Sequence, residues 1–496
     1  MSQRWIAMLG TLGLVALASP ALADEAGDLR KELDALKQRL DAQDQKVRQM
    51  EGTTITQQEV DAAVMAYVGN APAPILVADD DKGSAGFPMG KKPFIKQGPN
   101  KVEFAFRNQV RWSGFFYGDD AVGARIAPAP IRFSGEEPND RTGFEIERLY
   151  FGLDGTVFCE DITYKLELSF DSDGTNTVDK RYAYIDWKYA GEHHVRAGGD
   201  KVAYSCEENH SSSSLAFVDR SIVTKAFELG FDQGVSLWGN FGDCDCPKRF
   251  MYKVQATNGE GSISRGSIFN FDAADTYSDQ MLFAAMLEWN ITCDDWKWDE
   301  VDHRPCEKRC KLNASLGASA YYENDDDAKR DQWGGLAVRG SSARGADRMG
   351  LNAWFRAQYN GWSTLVEWYQ RDIDYTGTNT SVTQTDSGAH MYVHYRFADS
   401  NWGVGVRAGM IWLDDDYLTV TLNAQTIDIE DTITEFGAVV NYFFHDHSNK
   451  ISLDVNFVQD NSGVSSSSAG YLANNSGKGV IVEDGIMVRL QWQLNF

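Results

Sequence analysis

The stretch Val102-Glu103-Phe104-Ala105-Phe106-Arg107-Asn108-Gln109-Val110-Arg111-Trp112 carries apolar side chains at nearly every second position. Successive side chains of an extended backbone point to opposite faces. One face is therefore greasy, and the other carries Glu103, Arg107, Gln109 and Arg111. Such a segment reads as a strand between two different solvents. The pattern returns in 162–170, 391–397, 451–457 and 486–496, and the count of such segments comes to about sixteen.

The connections alternate in kind. Long acidic or Ser/Gly-rich stretches stand near 119–142, 205–225, 259–279, 323–348, 374–387, 414–431 and 460–484. Between them lie tight turns near Gly191, at Asn360-Gly361, at Asp399-Ser400 and at 445–449, and Asn-Gly is a strong hairpin signal. One tight rim and one decorated rim is the plan of a transmembrane barrel. A soluble β-sandwich or propeller also alternates, but its apolar face would be Val, Ile and Leu. Here Trp and Tyr crowd the strand ends, as at Trp112, Tyr117, Trp187, Tyr189, Trp354, Tyr359, Trp402, Trp412 and Trp492, which suggests interfacial girdles. No blade-length repeat is visible. The fold expected is all-β, an antiparallel barrel preceded by a short helical coil and a linker.

Composition agrees. The chain holds 26 Phe, 20 Tyr, 14 Trp and 45 Gly, against only 11 Pro. A net charge of -25 repels phosphate backbones and excludes nucleic acid as a partner. At the N-terminus, Arg4, the apolar run Ile6 to Leu17 and Ala21-Leu22-Ala23 read as a cleaved export signal over 1–23. Over 24–68, Leu29, Leu33, Leu36, Leu40, Val47 and Met50 fall on alternating four- and three-residue steps, broken by Gln43. This predicts a short periplasmic coiled coil, or a single amphipathic helix lying on something else. Residues 69–100 read as an extended Pro- and Gly-containing linker, leaving 101–496 for the barrel.

Seven cysteines complete the inventory. On this strand map Cys159, Cys244, Cys246, Cys293, Cys306 and Cys310 fall on the periplasmic rim, and Cys206 on the opposite one. Export favours disulfides among Cys244, Cys246, Cys293, Cys306 and Cys310 over a metal site made by the Cys244-x-Cys246 and Cys306-x-x-x-Cys310 pairs. No metal and no cofactor is called for. No Gly-x-Ser-x-Gly elbow or His-Glu-x-x-His helix occurs, so the motifs argue against an enzyme.

Arg148-Leu149-Tyr150-Phe151-Gly152-Leu153-Asp154-Gly155, Tyr164-Lys165-Leu166-Glu167, Tyr182-Ala183-Tyr184-Ile185-Asp186 and Val195 to Lys201 resemble, in that order, the phosphate-selective porin O/P family. The stretch Ser211 to Ser221 is similar to that family's pore-loop region. The resemblance implies a 16-stranded trimeric outer-membrane barrel whose third external loop narrows the channel, with Arg220 and Lys225 as constriction candidates. The closing 490–496, ending in Phe496, is similar to the terminal strand of outer-membrane barrels generally.

Extending the alternation places Arg107, Arg111, Arg148, Lys165, Arg196, Arg356, Arg371, Arg396, Arg407 and Arg489 on the water-facing side. Rings of cations favour anions such as phosphate in a narrow pore. The same faces carry Glu103, Glu167, Asp186, Glu367 and Asp454, so any single Arg is as well read as one half of a wall salt bridge. The function expected is passive diffusion of small solutes. The competing reading is a structural barrel tied to the cell wall through its coil.

Overall fold

The computed structural model describes residues 83–87, 92–117, 140–170, 178–243, 246–259, 281–293, 298–324, 346–376, 381–398, 400–414, 420–422, 425–427, 432–460 and 485–496. The segments read as an export signal, 1–23, and as a coil, 24–68, lie outside them.

A short hairpin comes first, β1 (Ser84–Gly86) and β2 (Phe94–Gln97). Then follow β3 (Asn100–Tyr117), β4 (Arg141–Val157), β5 (Cys159–Ser169), β6 (Asp179–Ala190), β7 (His193–Lys201), β8 (Phe231–Phe241), β9 (Phe250–Thr257) and β10 (Met281–Asn290). The second half holds β11 (Asn313–Asn324), β12 (Ala346–Tyr359), β13 (Trp362–Thr376), β14 (Ser381–Arg396) and β15 (Trp402–Trp412). A detached hairpin, β16 (Val420–Leu422) and β17 (Gln425–Ile427), precedes β18 (Thr432–His445), β19 (Asn449–Asp460) and β20 (Gly485–Asn495). Among the described residues three short helices sit in connections: α1 (Cys206–Asn209), α2 (Ile222–Phe227) and α3 (Cys306–Arg309).

Each barrel strand pairs antiparallel with the next one along the chain, and β20 pairs with β3. The ring of sixteen strands, β3 to β15 and β18 to β20, is thereby closed. Closure satisfies every ladder edge inside the bilayer, where no water can substitute. β3 outruns β20 at its start, and β2 lies along the overhang at 100–103 while Phe106 and Phe496 exchange backbone hydrogen bonds. Two strands thus fall inside the segment read as a linker. They shield a strand edge that would otherwise stand open.

The alternation appears in the burial of each strand. Along β18, Ile433, Glu435, Val439, Asn441 and Phe443 are buried, while Phe436, Val440 and Phe444 are exposed on the outside. On the short-turn rim Trp187, Tyr189, Trp289, Tyr359, Trp362, Trp402, Phe444 and Trp492 form an exposed aromatic belt. Trp354 does not belong to it. Its indole is buried inside, in the space that a Cβ on Gly317 would fill, because the strand parity puts it with Asn352 rather than with Phe355.

At the tight Asn360-Gly361 turn both residues have positive φ, 49° and 87°, as a primed hairpin requires. The expected long loop at 374–387 is a correction, for β13 runs to Thr376 and β14 starts at Ser381. Thr, Gln, Asp and Ser on both faces hid the strand ends there. The connection between β5 and β6, at 170–178, had no counterpart in the sequence reading.

Candidate functional site: the lumen and the segments folded into it

The connection from β7 to β8 turns inward. From Val202 to Leu229 nearly every residue is buried, and the segment crosses the lumen to reach β11 to β15 and β18 to β20 as well as β3. Local capping explains its shape. Ser205 Oγ accepts from Glu208 N–H at the start of α1, and Ser221 Oγ accepts from Val223 N–H at the start of α2. Helices this short persist because the wall holds them.

The wall grips the loop by its backbone. Glu367 on β13 accepts from the N–H groups of Cys206 and Glu207, at 2.6 and 3.1 Å. Asp454 on β19 accepts from Val218 N–H, and Glu435 on β18 from Ile222 N–H. Cations take the carbonyls: Arg371 donates to Ala226 O, Arg407 to Asp219 O and Lys450 to Leu215 O. Hydrogen bonds to charged groups contribute about 1.5–3 kcal/mol each, and a buried carboxylate left without donors costs more.

All ten basic residues read as water-facing point inward, but into two different settings. Arg371 is paired with Asp386, Arg407 with Glu435, and Arg489 with Asp454. Arg111 holds Glu145 and Glu147, and Arg148 holds Asp219 of the loop. Arg356 pairs with Glu288 and donates to the His210 ring. Arg396 sits low on the short-turn rim against Asp446. In contrast, Lys165 lies over the Tyr182 ring with its side chain 26 % exposed, Arg196 lies over Tyr184 and pairs with Asp186 and Asp200, and Arg107 donates to the hydroxyls of Ser211 and Ser212. Arg181 and Lys253 join this second group, with side chains 22 % and 15 % exposed. The more solvent-reachable of these cations, Lys165 and Arg181, stand on β5 and β6, with Tyr150, Tyr182, Tyr184 and Trp238 lining the same wall, while Arg396 on β14 and Lys225 of the loop are exposed to about the same degree as Lys253.

Arg181 escaped the sequence reading because it is the extra residue of a β-bulge between Leu168–Lys180 and Glu167–Tyr182. A second bulge, opposite Gln109 and Val110, lets both Glu147 and Arg148 point inward. Of the two constriction candidates, Arg220 is buried against Glu208 and the loop's own carbonyls, while Lys225 lies 3.8 Å from Asp219 and 3.6 Å from Glu228. Both hold the loop's shape. Burial raises the Glu228 carboxyl to about 8, and the neighbouring Glu208 carboxylate adds to the effect.

A second segment enters from the other rim. Between β10 and β11, Glu300, Val301, Asp302 and Arg304 are all buried. Arg304 pairs with Asp302, whose carboxylate also accepts from Gly361 N–H, and the Arg309 side chain donates to Asp302 O. The His303 ring packs edge-on against Phe443 and His447. A disulfide joins Cys246 to Cys293, so the bridge expected within the cysteine cluster is present. Cys159 and Cys206 are free thiols, and Cys244 lies outside the described residues.

A closed barrel with an aromatic belt, a polar lumen and an inward loop defines an outer-membrane diffusion channel. The model of the family described as phosphate-selective porin O and P matches residues 131–397, and the chain belongs to that family. No curated protein matches the chain. Among solved structures it is similar to the anion-selective porin from Comamonas acidovorans, at 12% identity and TM-score 0.49, covering 80% of this chain and 100% of that one. It is also similar to OprB of Pseudomonas putida, at 11% identity and TM-score 0.49, over 80% and 94%. A third is the outer membrane channel DcaP of Acinetobacter baumannii, at 12% identity and TM-score 0.46, over 80% and 97%.

Proposed function

We propose that this outer-membrane porin conducts small hydrophilic anions along the inner wall of β3 to β9, past the serines of the inward loop. The supporting observation is the placement of the cations. Lys165, Arg181, Arg196 and Lys253 keep solvent-reachable side chains, whereas Arg371 and Arg489 are buried in ion pairs. Acidic Glu167, Asp186 and Asp200 stand among them, so the preference is modest and phosphate passes as one anion among several. Reversal potentials across planar bilayers in a KCl gradient test this. They should be weakly anion-selective, and micromolar phosphate should leave the chloride current intact. A cation-selective potential would overturn the reading, and a silent protein would favour the cell-wall tether.

The porin is further proposed to be a homotrimer seated in lipid, a reading supported by its sequence heptads. Seminative electrophoresis should show a heat-labile band near three times the monomer mass. A monomer at every detergent concentration would remove it.

A further inference from the structure

We propose that the turn between β10 and β11 is a periplasmic strut that positions the constriction loop, with Glu300 as its contact residue. The proposal rests on the porin reading and adds a control point on the opposite rim from the loop's own anchors.

Residues 291–312 are far more than a tight turn needs, and long connections on that rim are unusual. Within that stretch Glu300, Val301, Asp302 and Arg304 are buried rather than draped over the surface. Glu300 reaches Ala216 of the loop, accepting its N–H at 2.7 Å, and its second carboxylate oxygen stands 3.7 Å from His210 Nδ1. Ala216 stands midway along the loop between its roots at Lys201 of β7 and Phe231 of β8. The other loop donors named above meet carboxylates on fixed strands, at Glu367, Glu435 and Asp454. Glu300 is the one carboxylate among these four that rides on a connection.

The turn is itself made stiff enough to push. Cys246–Cys293 ties its first residues to the β8–β9 turn. Asn360 N–H donates to Arg309 O, and Gln358 Nε2 donates to Asp299 O, fixing the other end to β12 and its hairpin. Asp302, 0 % exposed, takes the Arg304 guanidinium and Gly361 N–H together. His303 fits between Phe443 and His447 on the far side. Pinned at three places on the rim, the turn presents Glu300 upward as a stop beneath the loop. A loop resting on such a stop loses the freedom to sag toward the periplasm.

Single-channel recording on the full-length protein tests the strut. Replacing Glu300→Ala removes the acceptor, and the released-loop population should rise by about tenfold or more, seen as time spent in a substate of altered conductance. Glu300→Gln keeps an acceptor oxygen for Ala216 N–H and should restore native traces. A Cys246→Ser/Cys293→Ser double variant leaves Glu300 in place but frees the root of the turn, and should give the same substate at lower frequency. Heat-modifiable electrophoretic mobility establishes that each barrel is folded. If Glu300→Ala does not assemble, the glutamine and double-serine variants carry the test. Native traces from the folded alanine and double-serine variants would overturn the strut, and equal disturbance by glutamine and alanine would overturn the hydrogen-bonding role. A wild-type protein that never conducts would instead overturn the porin reading beneath it.

Discussion

Along β13 to β20 Arg371, Arg407 and Arg489 are sealed in ion pairs, whereas on β5 to β7 Lys165, Arg181 and Arg196 keep partly exposed side chains. Glu367, Asp454 and Glu435 are buried and occupied by loop N–H groups or guanidinium groups, and Arg371, Arg407 and Arg489 are spent on them and on loop carbonyls. On the other side Lys165 and Arg196 lie flat on tyrosines and stay wet. The same residue types do two jobs, and burial separates them. A desolvated charge must be matched by a partner and becomes structural, while a solvated one keeps a field that an ion can feel.

The sharpest test of that contrast is stability. Glu367→Ala strands the N–H groups of Cys206 and Glu207, and takes one partner each from His390 and Asn352, which keep Thr224 Oγ1 and Trp368 O. It should cost about 3–5 kcal/mol, read as a lower midpoint for denaturant unfolding in detergent. Lys165→Ala, on the wet side, should stay within about 1 kcal/mol of native. Equal losses would erase the distinction between the halves.

Selectivity should invert that ranking. Removing the charges of Lys165 and Arg196 together should lower the anion-to-cation permeability ratio by about two- to fivefold per charge in dilute salt, and less in concentrated salt. Neutralising Arg489 with Asp454 as a pair should leave the ratio near native, since that pair presents no net charge to the lumen. A larger shift from the buried pair would place the conduction path on the wrong wall.

A smaller effect is expected with pH. Burial raises Glu300 from its ordinary 4.5 to about 7, against the pull of the Ala216 N–H, Arg220, Lys450 and His390. Burial also raises Glu207 to about 7, with His390 opposing and Glu300 adding. Burial holds His210 neutral by lowering it to about 3, with Arg356 adding to the effect. A carboxyl raised in the folded state favours the seated loop below about pH 4.5, and that contribution is lost as pH climbs through about 7. Substate visits should therefore become more frequent between pH 6 and pH 8 in wild type, and Glu300→Gln should flatten the rise. A flat wild-type profile would detach these two carboxyls from loop seating.

Much of this was legible in the chain. The two-residue period marked the strands, and the alternation of loop lengths gave the two rims. Ten cations were marked as water-facing from strand parity alone, a local property that backbone geometry enforces at every residue. The cysteine cluster pointed to a bridge for a similar reason, because consecutive hairpins of a meander are neighbours.

Other features depended on contacts between distant parts of the chain. A single bulge reverses parity downstream of it, so Arg181, and Glu147 beside Arg148, could be placed only once Glu167 and Gln109 stood opposite them. Whether an inward Arg meets water or a buried carboxylate depends on where residues 202–230 lie, and that is decided by Glu367, Glu435 and Asp454 from strands more than a hundred residues away. Nor could the spacing of 291–312 show that this turn folds up into the lumen, because what holds Glu300 beneath Ala216 is a disulfide, a hairpin and two aromatic contacts drawn from four separate parts of the barrel. Local periodicity determines which way a side chain points. Only the closed barrel determines what it finds there.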